Sequence, residues 1–356
     1  GVDCPTFTNF DEMCDKARPD LLMVTTVDAF HGEHITKGLG RGIDVITEKP
    51  MVIDERQCQA VLDAERRHDR KIVVTFNYRY APKHQKIKEI LMSGEIGRVL
   101  SVDFSWYLDV YHGADYFRRW HRLKSSGGSL WVHKATHHFD LVNWWLAADP
   151  VEVSAGGALN VYGRNSPFRH THCRPCPHKS QCRFYYDMTK NERRMKLYAA
   201  CEDADGYYRD GCVYREDVDI CDAMTAVVKY SDGAQMNYSL NAFLPFEGYR
   251  LAFNGEKGRL EVRDYERQPW PVEEETEMYL TKSFGRREKI AVPKGEGGHG
   301  GGDDRLRDLI FRKTQAPAHM WLPDSRAGAM SCLTGIAARK SVEQGRPVRI
   351  ADLVRL

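Results

Sequence analysis

The sequence predicts an α/β region followed by an α+β region, with a doubly wound parallel sheet over residues 1–80 and a largely antiparallel sheet domain over residues 81–356. Two observations carry this. In the first part, apolar runs of strand length alternate with helix-length stretches, the pattern of parallel strands joined by crossover helices. From Val99 onward the apolar runs are longer and follow one another without intervening helices, as antiparallel strands do.

Taken in order, Asn9 to Ala17 reads as a short helix opened by Thr8-Asn9-Phe10-Asp11-Glu12 and stopped by Arg18-Pro19-Asp20. Leu21 to Val27 is a continuous apolar run, which predicts a strand buried on both faces. A helix from His31 to Leu39, a strand from Ile43 to Thr47, a helix capped by Asp54 and running to about Arg67, and a strand from Lys71 to Phe76 complete the alternation. Ligands of such sheets sit beyond the carboxyl ends of the strands, so the loops 25–31, 47–51 and 77–82 are the candidate ligand side. Thr25, Thr26 and His31 there could hydrogen-bond a cofactor, and Glu48-Lys49-Pro50 sets a charged pair at a strand end. No Gly-x-Gly-x-x-Gly follows any strand; Gly38 to Gly42 lies between a helix and a strand, and Gly300 to Gly302 precedes a late helix.

After a helix from Lys83 to Met92, strands are expected over Val99 to Leu108, Val151 to Val161, Ala223 to Tyr230, Ala234 to Ala242, Tyr249 to Phe253 and Gly258 to Val262. Asp232-Gly233 marks a hairpin turn between two of them. Arg263 to Pro293 reads as charged and irregular, Gly295 to Gly302 as a glycine-rich loop carrying His299, and Asp303 to Arg312 and Asp324 to Gln344 as helices.

Fifty-two basic and fifty acidic residues leave a net charge of +2 with no long tract of one sign, which argues against nucleic acid or a membrane surface as partner. No apolar run approaches the roughly 18 to 20 residues that span a bilayer. Ten cysteines in 356 residues fall far short of a disulfide-stapled scaffold, so a cytoplasmic location fits best, although a chain that opens Gly1-Val2-Asp3 leaves room for a removed targeting segment.

The most chemically loaded stretch is Gly127 to Asp140, where two glycines precede His133, Lys134, His137, His138 and Asp140. A helix beginning near His133 would put His133, His137 and Asp140 on one face, with Lys134 and His138 beside them. Stacking like charges there has an electrostatic cost that a purely structural helix would avoid, so the stretch reads as an active-site wall. The second signal is Cys173-x2-Cys176-x5-Cys182. Its spacing presents three thiolates to one metal ion, zinc before an iron–sulfur cluster, with Cys212 as the chosen fourth ligand over Cys201, Cys221, His172 and His178. Such a site would tie down a Cys-rich insertion over residues 165–215.

Thr25-Thr26-Val27-Asp28-x2-His31, then Glu48-Lys49-Pro50, then Gly127-Gly128-x8-His137-x2-Asp140, occur in an order and at spacings that resemble the Gfo/Idh/MocA oxidoreductases. The resemblance implies a Rossmann domain, here truncated because the family's glycine-rich strand–helix unit would lie upstream of Gly1. An open-faced sheet domain would follow, with the C-terminal helix packing back on the Rossmann domain. It further implies NAD or NADP between the domains, with Thr25, Thr26, His31, Glu48, Lys49, Pro50 and Asn77 on the cofactor side, and a dimer or tetramer, by default through the open sheet face. Where the family often has an aspartate, four residues before its histidine, this chain has His133 followed by Lys134, which favours an anionic or heavily hydroxylated substrate.

Oxidising a sugar carbon needs a base for the hydroxyl proton and a cation beside the reacting oxygen. His137 is the expected base, Lys49 the cation, and Lys134 or Asp140 an orienting or substrate contact. Tyr78, Arg79, His112, Arg119, His133, His138 and His299 are the further substrate-side candidates. Two rival readings accompany the sugar dehydrogenase: a glycoside hydrolase that uses NAD transiently for redox elimination, in which His133 or His138 serves the added proton transfers, and a sugar-binding or regulatory homologue without chemistry. A metal hydrolase on His133-x3-His137 is disfavoured because the glutamate of such sites is missing between them.

Overall fold

The computed structural model describes residues 3–271 and 275–355. Helix α1 (Phe10–Ala17) starts at Asn9, whose side chain accepts from the Glu12 amide at 2.9 Å and satisfies a donor the helix cannot. Strand β1 (Leu21–Val24), α2 (His31–Gly40), β2 (Asp44–Thr47), α3 (Glu55–His68, capped by Asp54) and β3 (Ile72–Val74) follow, and the strands form a parallel sheet ordered β1-β2-β3. Val24 stands opposite Thr47 and Thr47 opposite Val74, so the carboxyl ends lie level and the loops bearing Thr26, Lys49 and Asn77 open side by side. β1 departs from the expectation of two buried faces. α2 packs on Leu22 and Val45 through Gly38, while Leu21 and Met23, on the alternate face of the pleat, are exposed.

After α4 (Pro82–Met92) the chain builds a nine-stranded sheet from β4 (Val99–Asp109), β5 (Pro150–Ala158), β6 (Ala223–Tyr230), β7 (Gln235–Leu244), β8 (Glu247–Gly255), β9 (Gly258–Arg267), β10 (Glu277–Lys282), β11 (Arg287–Lys289) and β12 (Val348–Arg349). Its order is β11-β10-β9-β8-β4-β7-β6-β5-β12; β4 and β7 run parallel and every other pair antiparallel. The stretch after Arg263 is therefore not irregular: β9 runs on to Arg267 and β10 and β11 extend the sheet. In β10, Tyr279 and Thr281 alternate with Met278 and Leu280, both buried, a strand period within a charged sequence.

Alternate residues of β4, Val102, Phe104, Trp106 and Leu108, are buried under the helical layer, whereas Ser101, Asp103 and Ser105 face outward. That layer comprises α5 (His112–Arg118), α6 (Lys124–Gly127), α7 (Leu130–His133) and α8 (Ala135–Leu146). The helix expected to run unbroken from His133 is interrupted at Lys134, between α7 and α8. Upstream of the break, Gly128 takes φ +70°, where an added Cβ would press on Ile53 O at 3.0 Å. The Cys-rich stretch leaves the sheet between β5 and β6 and carries the short helices α9 (Glu192–Leu197) and α10 (Glu202–Asp205). Near the C-terminus come α11 (Gly302–Arg307), after which Asp308–Arg312 widens into a π-turn, and α12 (Ser325–Gln344). α12 spans both parts of the molecule: Arg339 donates to Ile53 O and Gly128 O, and Ser325 to Glu65.

Candidate functional site

The level ends of β1 to β3 face the break between α7 and α8, and the titratable groups meet there. Lys49, half-buried beyond β2, donates from Nζ to His133 O at 3.3 Å. Burial lowers its pKa, and Asp28 and Glu48 oppose that drop. His137, on the first turn of α8, is buried, its Nδ1 has no partner, and its ring lies 5.7 Å from those of Tyr78 and His299. Burial and then the charge of Lys49 hold its pKa well below the usual histidine value, so the imidazole is neutral.

His133 forms a hydrogen bond through Nδ1 to Asp28 Oδ2 at 2.5 Å. Asp28 is 3% exposed, and burial pushes its carboxyl up to about 7, against the pull of Lys49 and His31. His31 holds the surrounding loops together, with Nδ1 2.8 Å from Pro50 O and Nε2 3.0 Å from Thr26 O. Thr25 and Thr26 are exposed at the end of β1, and Glu48 Oε2 accepts from the Lys49 amide.

Beside these groups a cavity of about 550 Å³ is lined by Tyr78, Lys83, His112, Lys134, Glu266 and His299, among others. Tyr78 donates to Glu266, and Lys83 pairs with Asp264. His112 Nδ1 lies 2.7 Å from Glu247, and Asn77 Nδ2 donates to Asp303 at 2.6 Å beside His299. The glycine-rich loop reaches Asn77 because Gly302 has no Cβ, which would stand 2.3 Å from Asn77 O. Lys134 lies 4.9 Å above the Trp106 ring; burial lowers its pKa, while Glu266 and Glu247 raise it. Acids on β8 and β9 face Lys134 and Lys83, and Asp28 pairs with His133.

Other candidates are placed elsewhere. Asp140 receives two hydrogen bonds from Arg79, at 2.7 and 2.5 Å, with both side chains buried. Neither side chain lines the cavity, where Asp140 was expected as a substrate or orienting contact and Arg79 as a substrate contact. His138 stacks on Trp106 at 4.1 Å and bonds Tyr238 at 2.7 Å, a packing position against the sheet rather than a substrate contact. Arg119 donates to Tyr207 OH at 3.0 Å, toward the Cys-rich stretch. Asp28, Glu247 and Glu266 were not singled out in the sequence; Asp28 stood inside the quoted Thr25-to-His31 motif, and the two glutamates gave no local signal.

Comparison with known proteins decides the family. The profile described as the oxidoreductase family's NAD-binding Rossmann fold matches residues 1–76, and that for its C-terminal alpha/beta domain matches residues 88–350. The chain belongs to the Gfo/Idh/MocA oxidoreductases. It is 41% identical over 370 residues to YteT of Bacillus subtilis (strain 168), a protein named as an oxidoreductase, covering 98% of this chain and 85% of the relative. It is 31% identical over 169 residues to the glucose-6-phosphate 3-dehydrogenase of the same organism, covering 44% of each. A solved levoglucosan dehydrogenase, in complex with NADH and levoglucosan, superposes with a TM-score of 0.68 at 18% identity, covering 97% of this chain and 83% of that one. The expected loss of an upstream Rossmann unit finds no support in these matches.

The Gfo/Idh/MocA assignment brings a nicotinamide cofactor, and the residues at the strand ends fit one. Buried polar atoms without partners, Asn77 Oδ1 and His137 Nδ1, flank the Lys49 loop, and exposed Thr25 and Thr26 stand at the end of β1. The metal expectation is corrected. Cys173, Cys176, Cys182 and Cys212 do line one small cavity, but among the described residues no three His, Cys, Asp or Glu side chains converge as a metal site requires. Arg118 instead approaches Cys173 Sγ at 3.2 Å, and burial raises the Cys173 and Cys182 thiols. No described helix is long and apolar enough to cross a membrane.

Proposed function

We propose that this Gfo/Idh/MocA oxidoreductase is an NAD(P)-dependent dehydrogenase of a sugar or sugar derivative, acting between a cofactor-side region ending near residue 80 and a substrate region from residue 81. The observation that carries the reading is the neutral, buried His137 next to Lys49, at the edge of a polar cavity whose charges nearly cancel. The nicotinamide ring supplies the hydride acceptor when bound; Thr25, Thr26, Glu48, Lys49, Pro50 and Asn77 would hold it, with His31 setting the loops. His137 accepts the hydroxyl proton, and Lys49, in its ammonium form, steadies the negative charge that develops on the same oxygen. Asp28, when ionised, keeps Lys49 protonated against the cost of burial. Tyr78, Lys134, His112 and His299 present donors and acceptors suited to the remaining hydroxyls. The inositol and glucose-6-phosphate dehydrogenases among the relatives support a sugar-type substrate. The reading also takes the protein as cytoplasmic and as a dimer or tetramer through the open sheet face.

The experiment is NAD(P)H formation with a panel of neutral sugars for wild type, His137→Ala and Lys49→Ala. A general base is worth on the order of 10²–10⁴ in rate, and losses of that size are expected. Near-wild-type turnover in both variants would remove the mechanism, and release of free sugar without net NAD(P)H would point to redox elimination instead.

A further inference from the structure

A second cavity, of about 420 Å³, adjoins the first: His112 lines both. It lies between α5 and the Cys-rich stretch, and five arginines line it, Arg118, Arg183, Arg194, Arg209 and Arg267. Two of these charges are answered. Arg209 makes a bidentate pair with Asp115, and Arg267 donates to Asp109 at 2.8 Å. The other three have no ion pair among the described residues. Arg118, buried, donates to Phe184 O, Gly211 O and Cys173 Sγ; Arg194 donates to Tyr186 OH; Arg183, exposed, lies over the Phe184 ring at 4.5 Å. Five guanidinium groups against two carboxylates leave an excess of three positive charges, where the reaction cavity is nearly balanced. Tyr111, Tyr185 and Tyr186 supply flat apolar faces in the same wall.

From this we infer that the second cavity is a subsite for an acidic sugar unit linked to the ring held in the reaction cavity. The planar fork of arginine suits a carboxylate or a sulfate or phosphate ester, and aromatic faces suit a pyranose ring. The volume admits one such ring, and because His112 lines both, the two cavities stand side by side. The preferred substrate is thus an acidic disaccharide or glycoside, recognised at the flank by a segment that leaves the sheet between β5 and β6. The inference rests on the dehydrogenase reading for the identity of the first cavity, but its test does not.

Binding is measured by calorimetry on the NAD-saturated protein, with a uronic-acid-containing disaccharide, its neutral methyl ester, and a sulfated neutral disaccharide as probes. Arg183→Gln and Arg194→Gln are the variants, because neither arginine has an ion pair and neither touches the reaction site. Charge-assisted hydrogen bonds predict that each variant weakens the acidic probe on the order of ten-fold or more and leaves the neutral ester within about two-fold. Affinity for the acidic probe should also fall with added salt. A carboxylate subsite prefers the uronate probe and an ester subsite the sulfated one; preference for either supports the inference. Equal affinity of wild type for all three probes, or acidic binding unchanged in both variants, overturns it. Arginine-dependent binding without turnover would sink the dehydrogenase reading and keep the subsite; turnover of neutral sugars with no acidic preference would do the reverse.

Discussion

The Arg79–Asp140 pair separates a structural from a catalytic reading of the α8 helix. Asp140 is 1% and Arg79 2% exposed, and the guanidinium also faces the rings of Trp144 at 5.7 Å and Trp321 at 4.7 Å. Burial raises the Asp140 carboxyl to about 6, against the pull of Arg79, so at pH 7.5 it is ionised and paired. Asp140→Asn removes the charge and keeps the volume, leaving a buried cation with aromatic faces but no counter-charge. Two charge-assisted hydrogen bonds at about 1.5–3 kcal/mol each, or a broken buried pair at about 3–5 kcal/mol, give the same scale of loss. With an unfolding entropy of about 0.7 kcal/mol/K for a chain of this size, the melting temperature should fall by about 4–7 °C. Removing both charges, Arg79→Met with Asp140→Leu, should recover most of that loss, because no uncompensated group remains. Differential scanning calorimetry reads the stability, and turnover below the transition reads the chemistry. A variant as stable as wild type but a hundred-fold slower would refute the reasoning and return Asp140 to the catalytic machinery.

Asp28→Asn should shift the alkaline limb of the pH–rate profile to lower pH. The Asp28 carboxylate, which forms as pH rises through about 7, raises the pKa of Lys49, and without it the lysine gives up its proton sooner. Near pH 6, where Asp28 is mostly protonated, variant and wild type should be closest; an unmoved alkaline limb would break the link between the two groups. Gly302→Ala places a Cβ 2.3 Å from Asn77 O, so either the loop or Asn77 must move. Overpacking of this kind costs about 1–3 kcal/mol. A lower melting temperature and a raised KM for oxidised NAD(P) are expected, and unchanged values of both would show that Asn77 is not positioned by this contact.

How much of this was legible in the sequence depended on the range of the interaction. Asn9 and Asp54 announce their helices because a cap is read within four residues, and the alternation from β1 to β3 is local periodicity. β10 was hidden because its buried Met278 and Leu280 alternate with polar residues in a charged neighbourhood, and only pairing with β9 completes the pattern. The site divided in the same way. Lys49 and His137 stand in contiguous motifs, but Glu266 becomes a wall of the cavity only because β9 lies alongside β8, far from Tyr78 in the chain.

The break at Lys134 was the hardest feature to read and the one on which most of the site turns. Ala135 to Leu146 contains no proline and no glycine, and nothing local forbids a continuous helix from His133. Gly128 at positive φ over Ile53 O and Ser129 at φ +96° end α6 and set the entry into α7, and Lys134, at φ −96° and ψ −48°, then separates α7 from α8. On a continuous helix, His133, His137 and Asp140 would have shared one face, three titratable groups competing for one substrate oxygen. With the break they separate. His133 turns to Asp28, His137 stays unpartnered beside Lys49, and Asp140 goes under the helix to Arg79. A site with one free base needs the others silenced, and here the backbone does so by giving each a carboxylate or guanidinium of its own.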